Sequence, residues 1–274
     1  MNDSIFERTV TKIDAGHVSE VRDVLAVEEP CEIRLGGEAI AVTMRTPGND
    51  LELAAGFLFT EGIVGAGDVA TISHCGNPEA GRGDELHPEN IVEVRLVPGR
   101  EPRRDLRRNF FASSSCGICG KASIEAIHVD TVAAADGPSV AAAALSAMMD
   151  QLSPRQKVFA ATGGLHAAAI FDAGGELLVV REDVGRHNAV DKVIGYAMLE
   201  ERLPLDAKVL IVSGRTSFEI LQKALVARIP IVASVSAASS LAVEFAAQSN
   251  MTLIGFLRES KMNVYTGAER VIGT

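Results

Sequence analysis

Strands and helices alternate in residues 208–257, which read KVLIVSGRTSFEILQKALVARIPIVASVSAASSLAVEFAAQSNMTLIGFL. Three apolar runs in this region have the character of strands buried on both faces of a sheet, namely 208–212, 229–235 and 251–257. The helix-length segments between them are 216–227 and 239–248. Because strand and helix alternate, the region predicts a parallel sheet with right-handed crossovers, in which all three strands end at one edge.

The loops after these strands carry hydroxyl groups, glycine and cations. The residues concerned are Gly214, Arg215 and Thr216 after the first strand, Ser236 after the second, and Arg258, Glu259, Ser260 and Lys261 after the third. Hydroxyls and backbone N–H groups at helix N-termini, together with cations, suit an anionic nucleotide. Serine-rich turns are also common helix caps, and the chain has no P-loop or GxGxxG fingerprint, so both interpretations stay open.

The rest of the chain predicts a smaller β-rich module and further helices. A hairpin at 31–44 turns on Gly36-Gly37. The other predicted elements are a helix at 51–60 capped by Asn49 or Asp50, a strand at 91–97, a helix from the N-cap Ser139 to about Leu152, a hairpin of strands 167–171 and 176–180, and an amphipathic helix at 184–201. We therefore predict an α/β chain, α+β overall, with a β-rich domain at 1–111 and an α/β domain at 112–274, which begins with a flexible cysteine loop at 112–121.

Composition excludes several classes of protein. The chain of 274 residues has 26 Lys and Arg against 36 Asp and Glu, a net charge of -10 that argues against general duplex-DNA binding. It has no Trp and two Tyr, which gives few platforms for stacking single-stranded nucleic acid. The first residues lack an apolar signal region, and the longest uncharged stretch, 229–243, is too short for a membrane span. We expect a cytoplasmic protein without nucleic-acid or membrane partners.

Two cysteines lie close together in the stretch Ser113 to Lys121, SSSCGICGK. If a helix begins near Cys119, its N-terminus and Lys121 would stabilise a thiolate, which is the reactive form of cysteine. Three interpretations remain open for Cys116 and Cys119: a zinc site completed by isolated residues, a thioredoxin-type disulfide exchanger, and a sulfur carrier that holds a persulfide. Cys31 and Cys75 have no partner in sequence and are expected to be inert.

Other polar positions allow both a structural and a functional interpretation. The segment 100–108 contains five Arg, which is either a solvated surface or a dock for phosphates or an acidic partner. His166 and His187 have no role that the sequence decides. Glu182 and Asp183 could accept hydrogen bonds from a guanine ring or cap a helix, and capping is favoured for Asp183.

Several motifs together resemble the formate dehydrogenase accessory sulfurtransferase family, FdhD. The matching stretches, in the family's order, are SCGICGK at 115–121, Thr162-Gly163-Gly164 with His166, REDVGRHNA at 181–189 with Asp191 and Lys192, Ser213-Gly214-Arg215, and Asn263-Val264-Tyr265. The resemblance implies a homodimer with a fold similar to cytidine deaminases. The deaminase zinc signature is absent, because Ala167 and Ala168 follow His166 and Ser115 precedes Cys116, so deamination is disfavoured and no resident metal is expected.

The resemblance also implies a function. The family takes sulfur from a cysteine desulfurase and delivers it to the molybdenum bis(molybdopterin guanine dinucleotide) cofactor, a bound substrate, for formate dehydrogenase. Cys116 matches the persulfide-carrying cysteine and Cys119 its second thiol, which either stabilises the persulfide or resolves it as a disulfide. The cofactor-binding stretch maps onto Phe256, Leu257, Arg258, Glu259, Ser260 and Lys261, directly after the last predicted strand. The alternative is a non-catalytic cofactor-binding chaperone whose cysteine pair is only redox-active.

Overall fold

The computed structural model describes residues 4–75, 88–104, 133–134 and 136–273. Its strands are β1 Ile5–Asp14, β2 His17–Ala26, β3 Glu29–Leu35, β4 Glu38–Arg45, β5 Val69–His74, β6 Ile91–Leu96, β7 Val140–Ala141, β8 His166–Asp172, β9 Leu177–Asp183, β10 Lys208–Val212, β11 Ile231–Ser234, β12 Thr252–Arg258, β13 Lys261–Thr266 and β14 Val271–Ile272. Its helices are α1 Asp50–Thr60, α2 Ala142–Leu152, α3 Lys157–Thr162, α4 Arg186–Leu199, α5 Phe218–Val226 and α6 Ser240–Gln248. Within these ranges, no helix combines the length and the apolarity needed to cross a bilayer.

The larger sheet has the strand order β13-β12-β11-β10-β8-β9. Strands β10, β11 and β12 are parallel, as the apolar runs predicted, whereas β8 and β13 run antiparallel to their neighbours. Successive side chains of β10 enter two different cores. Leu210 packs with α4, α5 and α6 on one face, and Ile211 packs with α2 on the other. Burial on both faces explains why the strand is a continuous apolar run rather than an alternating one.

The smaller sheet has the order β4-β3-β6-β5 and is covered by α1. The predicted hairpin of β3 and β4 is present, and Gly36 and Gly37 supply its turn at φ values of 61° and 89°, a region that favours glycine. Strands β1 and β2 form a separate two-stranded hairpin. Most of its side chains are exposed on both faces.

The two sheets are joined by a very close crossing of α1 and α4. A Cβ added to Gly56 would lie 1.9 Å from the carbonyl oxygen of Asp191, and one added to Gly195 would lie 1.8 Å from that of Glu52. Only glycine lets the backbones approach this closely. The boundary predicted between residues 111 and 112 lies outside the described residues, so the two-domain division stays a prediction, as does the deaminase-like fold.

Two local expectations are wrong, and a third, the cap at Asn49, is right in position but lacks the side-chain bond. Helix α2 begins at Ala142 and its N-cap is Ala141, because the residues after Ser139 form strand β7, which pairs with β14. Asn49 precedes α1 in a left-handed conformation and makes no side-chain cap bond. The stretch 256–261 does not follow the last strand, because β12 extends to Arg258 and Lys261 begins β13. It is a hairpin turn that reverses the chain at the edge of the sheet.

Candidate functional site

Sheet topology brings three helix N-termini to one side of the larger sheet. Strand β9 is antiparallel to β8, which is antiparallel to β10, so β9, β10, β11 and β12 all end at the same edge. Helices α4, α5 and α6 begin there, directly after β9, β10 and β11. Strands β8 and β13, which run the other way, start at this edge with His166 and Lys261. We call the residues 165–166, 183–187, 213–217, 235–240 and 256–261 the carboxyl edge.

The first loop of the carboxyl edge is fixed by main-chain hydrogen bonds. The N–H of Ser213 donates to the carbonyl of Ala167 at 2.9 Å, and the N–H of Ala167 donates to the Ser213 hydroxyl at 2.8 Å. The N–H of Thr216 donates to the carbonyl of Ala237 at 3.1 Å, and the N–H of Ser239 donates to the carbonyl of Thr216 at 3.1 Å. These bonds join the first loop to the second.

Thr216 is fully buried at this junction, and its hydroxyl oxygen has no hydrogen-bond partner among the described residues. A buried hydroxyl that makes no hydrogen bond costs about 1–3 kcal/mol. The group is therefore available to a ligand or to an ordered water molecule.

The second loop anchors the third through Ser236. Its carbonyl accepts hydrogen bonds from the Ser234 hydroxyl at 2.8 Å and from the N–H of Phe256 at 3.1 Å. The hydroxyl of Ser239 accepts from the N–H of Ala242 at 3.3 Å and caps α6. Ser239 thus caps a helix, which is one of the two interpretations of the serine-rich turn. The carbonyl of Ser236 fixes the start of the third loop at Phe256.

The third loop, 256–261, is a bulged turn. The pairing of β12 with β13 shifts register between Gly255 and Arg258, and both Phe256 and Glu259 have positive φ, 53° and 52°. Such conformations cost non-glycine residues on the order of 1 kcal/mol and cluster at binding sites. The turn exposes Phe256, Arg258, Glu259, Ser260 and Lys261.

Leu257 differs from the other residues of this turn. Its side chain is fully buried in the core on the α2 face, beside Ile254. A ligand bound at the turn would therefore meet only the backbone of this residue.

The carboxyl edge is locally cationic in an acidic chain. Arg215, Arg258 and Lys261 are exposed, and none of them forms an ion pair with any residue that the structure describes. Arg186 begins α4, and its buried Nε has no hydrogen-bond partner among the residues that the structure describes. Cations and helix N-termini, which carry partial positive charge, together favour an anion. Sequence reasoning missed Arg186, although its position in the first turn of the helix predicted at 184–201 was a usable signal.

His166 and His187 both lie at the carboxyl edge. His187 is buried, and its Nε2 lies 3.2 Å from the Ser217 hydroxyl and 3.0 Å from a carboxylate oxygen of Glu219. His166 is half-buried beside Gly214. Its burial, and then the charges of Arg186 and His187, hold the pKa of His166 below its ordinary value of 6.5.

The acidic pair Glu182 and Asp183 is used internally. Asp183 accepts hydrogen bonds from Gly185 and Asn188 and forms a 2.7 Å ion pair with Lys192. Glu182 accepts from the N–H groups of Val158 and Phe159, at 3.1 and 2.8 Å, in the first turn of α3. Both carboxylates satisfy helix N-termini or buried cations, and this agrees with the capping role favoured for Asp183.

The catalytic candidates Cys116 and Cys119 lie outside the described residues, as does much of the Arg-rich segment. Of that segment, Arg103 and Arg100 pair with Asp68 at 2.8 and 3.7 Å, which supports the solvated-surface interpretation for this part. Cys31 is fully buried, and burial followed by the charge of Asp50 raises the pKa of its thiol to about 12, so it is inert as expected. Within the described ranges, no group of three or more His, Cys, Asp or Glu side chains could hold a metal ion.

Comparison with known proteins places the chain in a family. The profile of the FdhD/NarQ family matches residues 26–272. A sulfur carrier protein FdhD from Mycolicibacterium paratuberculosis is 56% identical over 269 residues, covering 96% of this chain and 97% of the relative. The protein of the same name from Streptomyces coelicolor is 51% identical over 269 residues, covering 96% and 94%.

A solved structure has the same fold. The crystal structure of a "putative formate dehydrogenase accessory protein" from Desulfotalea psychrophila matches with a TM-score of 0.76 and 24% identity, covering 98% of this chain and 99% of that one. At this identity the likeness shows the fold alone. The profile match and the full-length relatives show that the chain belongs to the FdhD/NarQ family.

Proposed function

We propose that this protein is a sulfur carrier that holds sulfur as a persulfide on Cys116. In this proposal it receives the sulfur from a cysteine desulfurase and delivers it to the molybdenum bis(molybdopterin guanine dinucleotide) cofactor of formate dehydrogenase. The names of the relatives, sulfur carrier protein FdhD, support the carrier role. The cysteine pair at 116 and 119 supplies the required thiol chemistry.

The observation that carries the proposal is the anion-binding character of the carboxyl edge. Three helix N-termini, the unpaired cations and the buried hydroxyl of Thr216 fit the phosphates of a guanine dinucleotide. The first loop follows β10 and the third follows β12, which are two strand spacings apart. Because neighbouring strands lie about 4.8 Å apart, these loops are separated by roughly 10 Å, a span that a nucleoside diphosphate covers.

This geometry suggests that different loops of the carboxyl edge bind different parts of the nucleotide. Gly214, Arg215, Thr216 and Ser236 would hold the phosphates, where the exposed Arg215 guanidinium is available. The turn 256–261 would hold the guanine, and the exposed ring of Phe256 offers a stacking face. Because the diphosphate links the guanosine to the pterin, the remainder of the substrate would continue from the phosphate end of this site.

The loading of sulfur onto Cys116 needs no external oxidant or reductant. The Cys116 thiolate attacks the outer sulfur of the desulfurase persulfide, the sulfur–sulfur bond of that persulfide breaks, and the desulfurase cysteine leaves as a thiolate. If Cys119 resolves the Cys116 persulfide, its thiolate attacks the inner sulfur, the outer sulfur leaves as hydrosulfide, and a Cys116–Cys119 disulfide forms. The two cysteines together are then the two-electron reductant of the sulfane sulfur, and an external dithiol must reduce their disulfide before the next cycle.

Intact-mass spectrometry after incubation with a cysteine desulfurase and cysteine tests the proposal. We expect the chain to gain the mass of one sulfur, and a thiol reductant to remove it. Cys116→Ala is expected to abolish this gain, whereas the matched control Cys75→Ala should keep it. Full sulfur loading of Cys116→Ala would contradict the assignment of Cys116.

The same experiment separates the carrier from the alternative of a cofactor-binding chaperone. A chaperone would bind guanosine diphosphate but gain no sulfur mass, whereas a carrier does both. The role of Cys119 is read from Cys119→Ala. If Cys119 only stabilises the persulfide, this variant loads less sulfur. If it resolves the persulfide, the variant retains its loaded sulfur when the intact protein releases it.

A further inference from the structure

His166 lies where the first loop of the carboxyl edge meets the start of α4. It is the first residue of β8 and pairs with Asp183 of β9. Its Nδ1 lies 3.2 Å from the position that a Cβ on Gly214 would occupy, and the Cβ of Arg186 lies 3.8 Å from the same position. The imidazole therefore borders the surface of the loop on which the diphosphate is proposed to bind.

The groups that face this imidazole are mostly cationic. The groups that act on its charge are Arg186 and His187 of α4, Arg215 of the loop after β10, and Asp183 of β9. Asp183 is already neutralised by Lys192 at 2.7 Å and accepts two further hydrogen bonds from Gly185 and Asn188. Without a ligand, a proton on His166 would add a positive charge to this cluster, so burial and these cations hold its pKa below 6.5.

The residues around His166 include one buried hydrogen-bond donor without an acceptor. The Nε of Arg186 is buried and has no acceptor in the described ranges. Helices α4 and α5 begin beside it, at Arg186 and Phe218, so the positive ends of two helix dipoles lie nearby. An anion at this position would supply the missing acceptor and would also reverse the electrostatic cost of protonating His166.

We propose that His166 binds a phosphate of the nucleotide in its protonated, imidazolium form, so that nucleotide binding takes up a proton. This inference rests on the proposed function, in which a guanine dinucleotide lies on the carboxyl edge. Affinity then falls as pH rises through neutrality, because the cost of protonating His166 increases with pH. Neutral His166 in the ligand-free protein keeps the edge from becoming still more cationic.

Calorimetric titration with guanosine diphosphate at pH 7, in two buffers of different ionisation enthalpy, measures the protons taken up. The terminal phosphate of the nucleotide titrates in the same pH range, so His166→Gln provides the background. We expect the intact protein to take up more protons than that variant, because the bound phosphate raises the pKa of His166 from its lowered value in the free protein. The control His74→Gln alters an exposed histidine on β5 of the other sheet and should behave like the intact protein.

Equal proton uptake by the intact protein and His166→Gln, with both binding the nucleotide, would overturn the inference and leave the proposed site standing. Failure of the intact protein to bind guanosine diphosphate at any pH would overturn the nucleotide site itself. A second measurement uses the intact protein and needs no variant. The NMR titration midpoint of His166 should rise by about one pH unit or more in saturating nucleotide, and an unmoved midpoint would contradict the proposal.

Discussion

At the scale of single residues, the exposed cations of the carboxyl edge allow the most direct test. We expect Arg215→Ala and Lys261→Ala each to weaken the binding of guanosine diphosphate about tenfold, because a charge-assisted hydrogen bond contributes about 1.5 kcal/mol or more. Calorimetry measures the change. Arg22→Ala is the matched control, since Arg22 is exposed on the β1–β2 hairpin and should not alter affinity. Unchanged affinity in both edge variants would exclude this nucleotide site.

Phe256 combines an exposed ring with a strained backbone at φ 53°. Phe256→Gly relieves the strain but removes the ring, so we expect the free energy of unfolding to change by less than about 1 kcal/mol. Affinity for guanosine diphosphate should fall about tenfold or more, since a stacked base contributes about 1–3 kcal/mol. Chemical denaturation and calorimetry measure the two quantities.

The control for that variant is Glu201→Gly, which relieves a similar φ of 54° away from the carboxyl edge. It should raise stability slightly and leave affinity unchanged. A large loss of stability in Phe256→Gly without loss of affinity would show that the ring is a packing residue.

At the scale of secondary-structure elements, the crossing of α1 and α4 depends on the absence of side chains. Gly56→Ala would improve the intrinsic helix propensity of α1 by about 1 kcal/mol. It would also place a methyl group 1.9 Å from the carbonyl oxygen of Asp191, so the helices must separate. We expect a net destabilisation of about 2 kcal/mol or more, measured by urea unfolding. Gly67→Ala, at a position with no atom within 4 Å, is the control and should be nearly neutral.

The elements that the sequence predicted are those whose burial leaves a pattern in the residues. Strands β10, β11 and β12 are apolar throughout because both faces are covered, and the intervening helices follow from their length. The sequence does not predict strand β13, because half of KMNVYT is polar and the strand pairs only with β12 at the end of the sheet. Without β13, the sequence predicts that 256–261 is a loop after the last strand of the sheet.

The candidate site was predictable only in part. The hydroxyls and cations after β10 and β12 follow from strand order along the chain. The arrival of His166 and Arg186 at the same edge depends on β8 and β9 adding antiparallel next to β10, which no local pattern reveals. Helix α2 shows the same limit, because pairing of β7 with β14, over a hundred residues away, outweighs the capping tendency of Ser139.

At the scale of the whole molecule, buried charges join the two sheets through their helices. Lys223 of α5 contacts Asp191 of α4 at 2.9 Å, and it contacts Thr60 of α1 and the adjacent Glu61 at 2.9 and 3.4 Å. Burial opposes the charge of Lys223, but the two carboxylates outweigh it and raise its pKa above 10.5. The cation therefore remains charged and holds three helices together.

We expect Lys223→Met to reduce the free energy of unfolding by about 3–5 kcal/mol, because it leaves the buried Asp191 without its counter-ion. The control Arg228→Met removes an ion pair with Asp206 whose partners are both more than 40% exposed, and it should cost less than about 1 kcal/mol. Denaturant unfolding of the full chain measures both. Similar losses in the two variants would contradict the anchoring role of Lys223.

The paired backbone groups of Thr216 and Ser239 have a consequence for motion at the site. Since each loop holds the other through its main chain, neither can open alone without breaking those bonds. The first and second loops should therefore move as one rigid unit. A ligand that binds either loop would reduce the mobility of both. On ligand binding, hydrogen exchange of the backbone amides would then slow by a similar factor in the two loops.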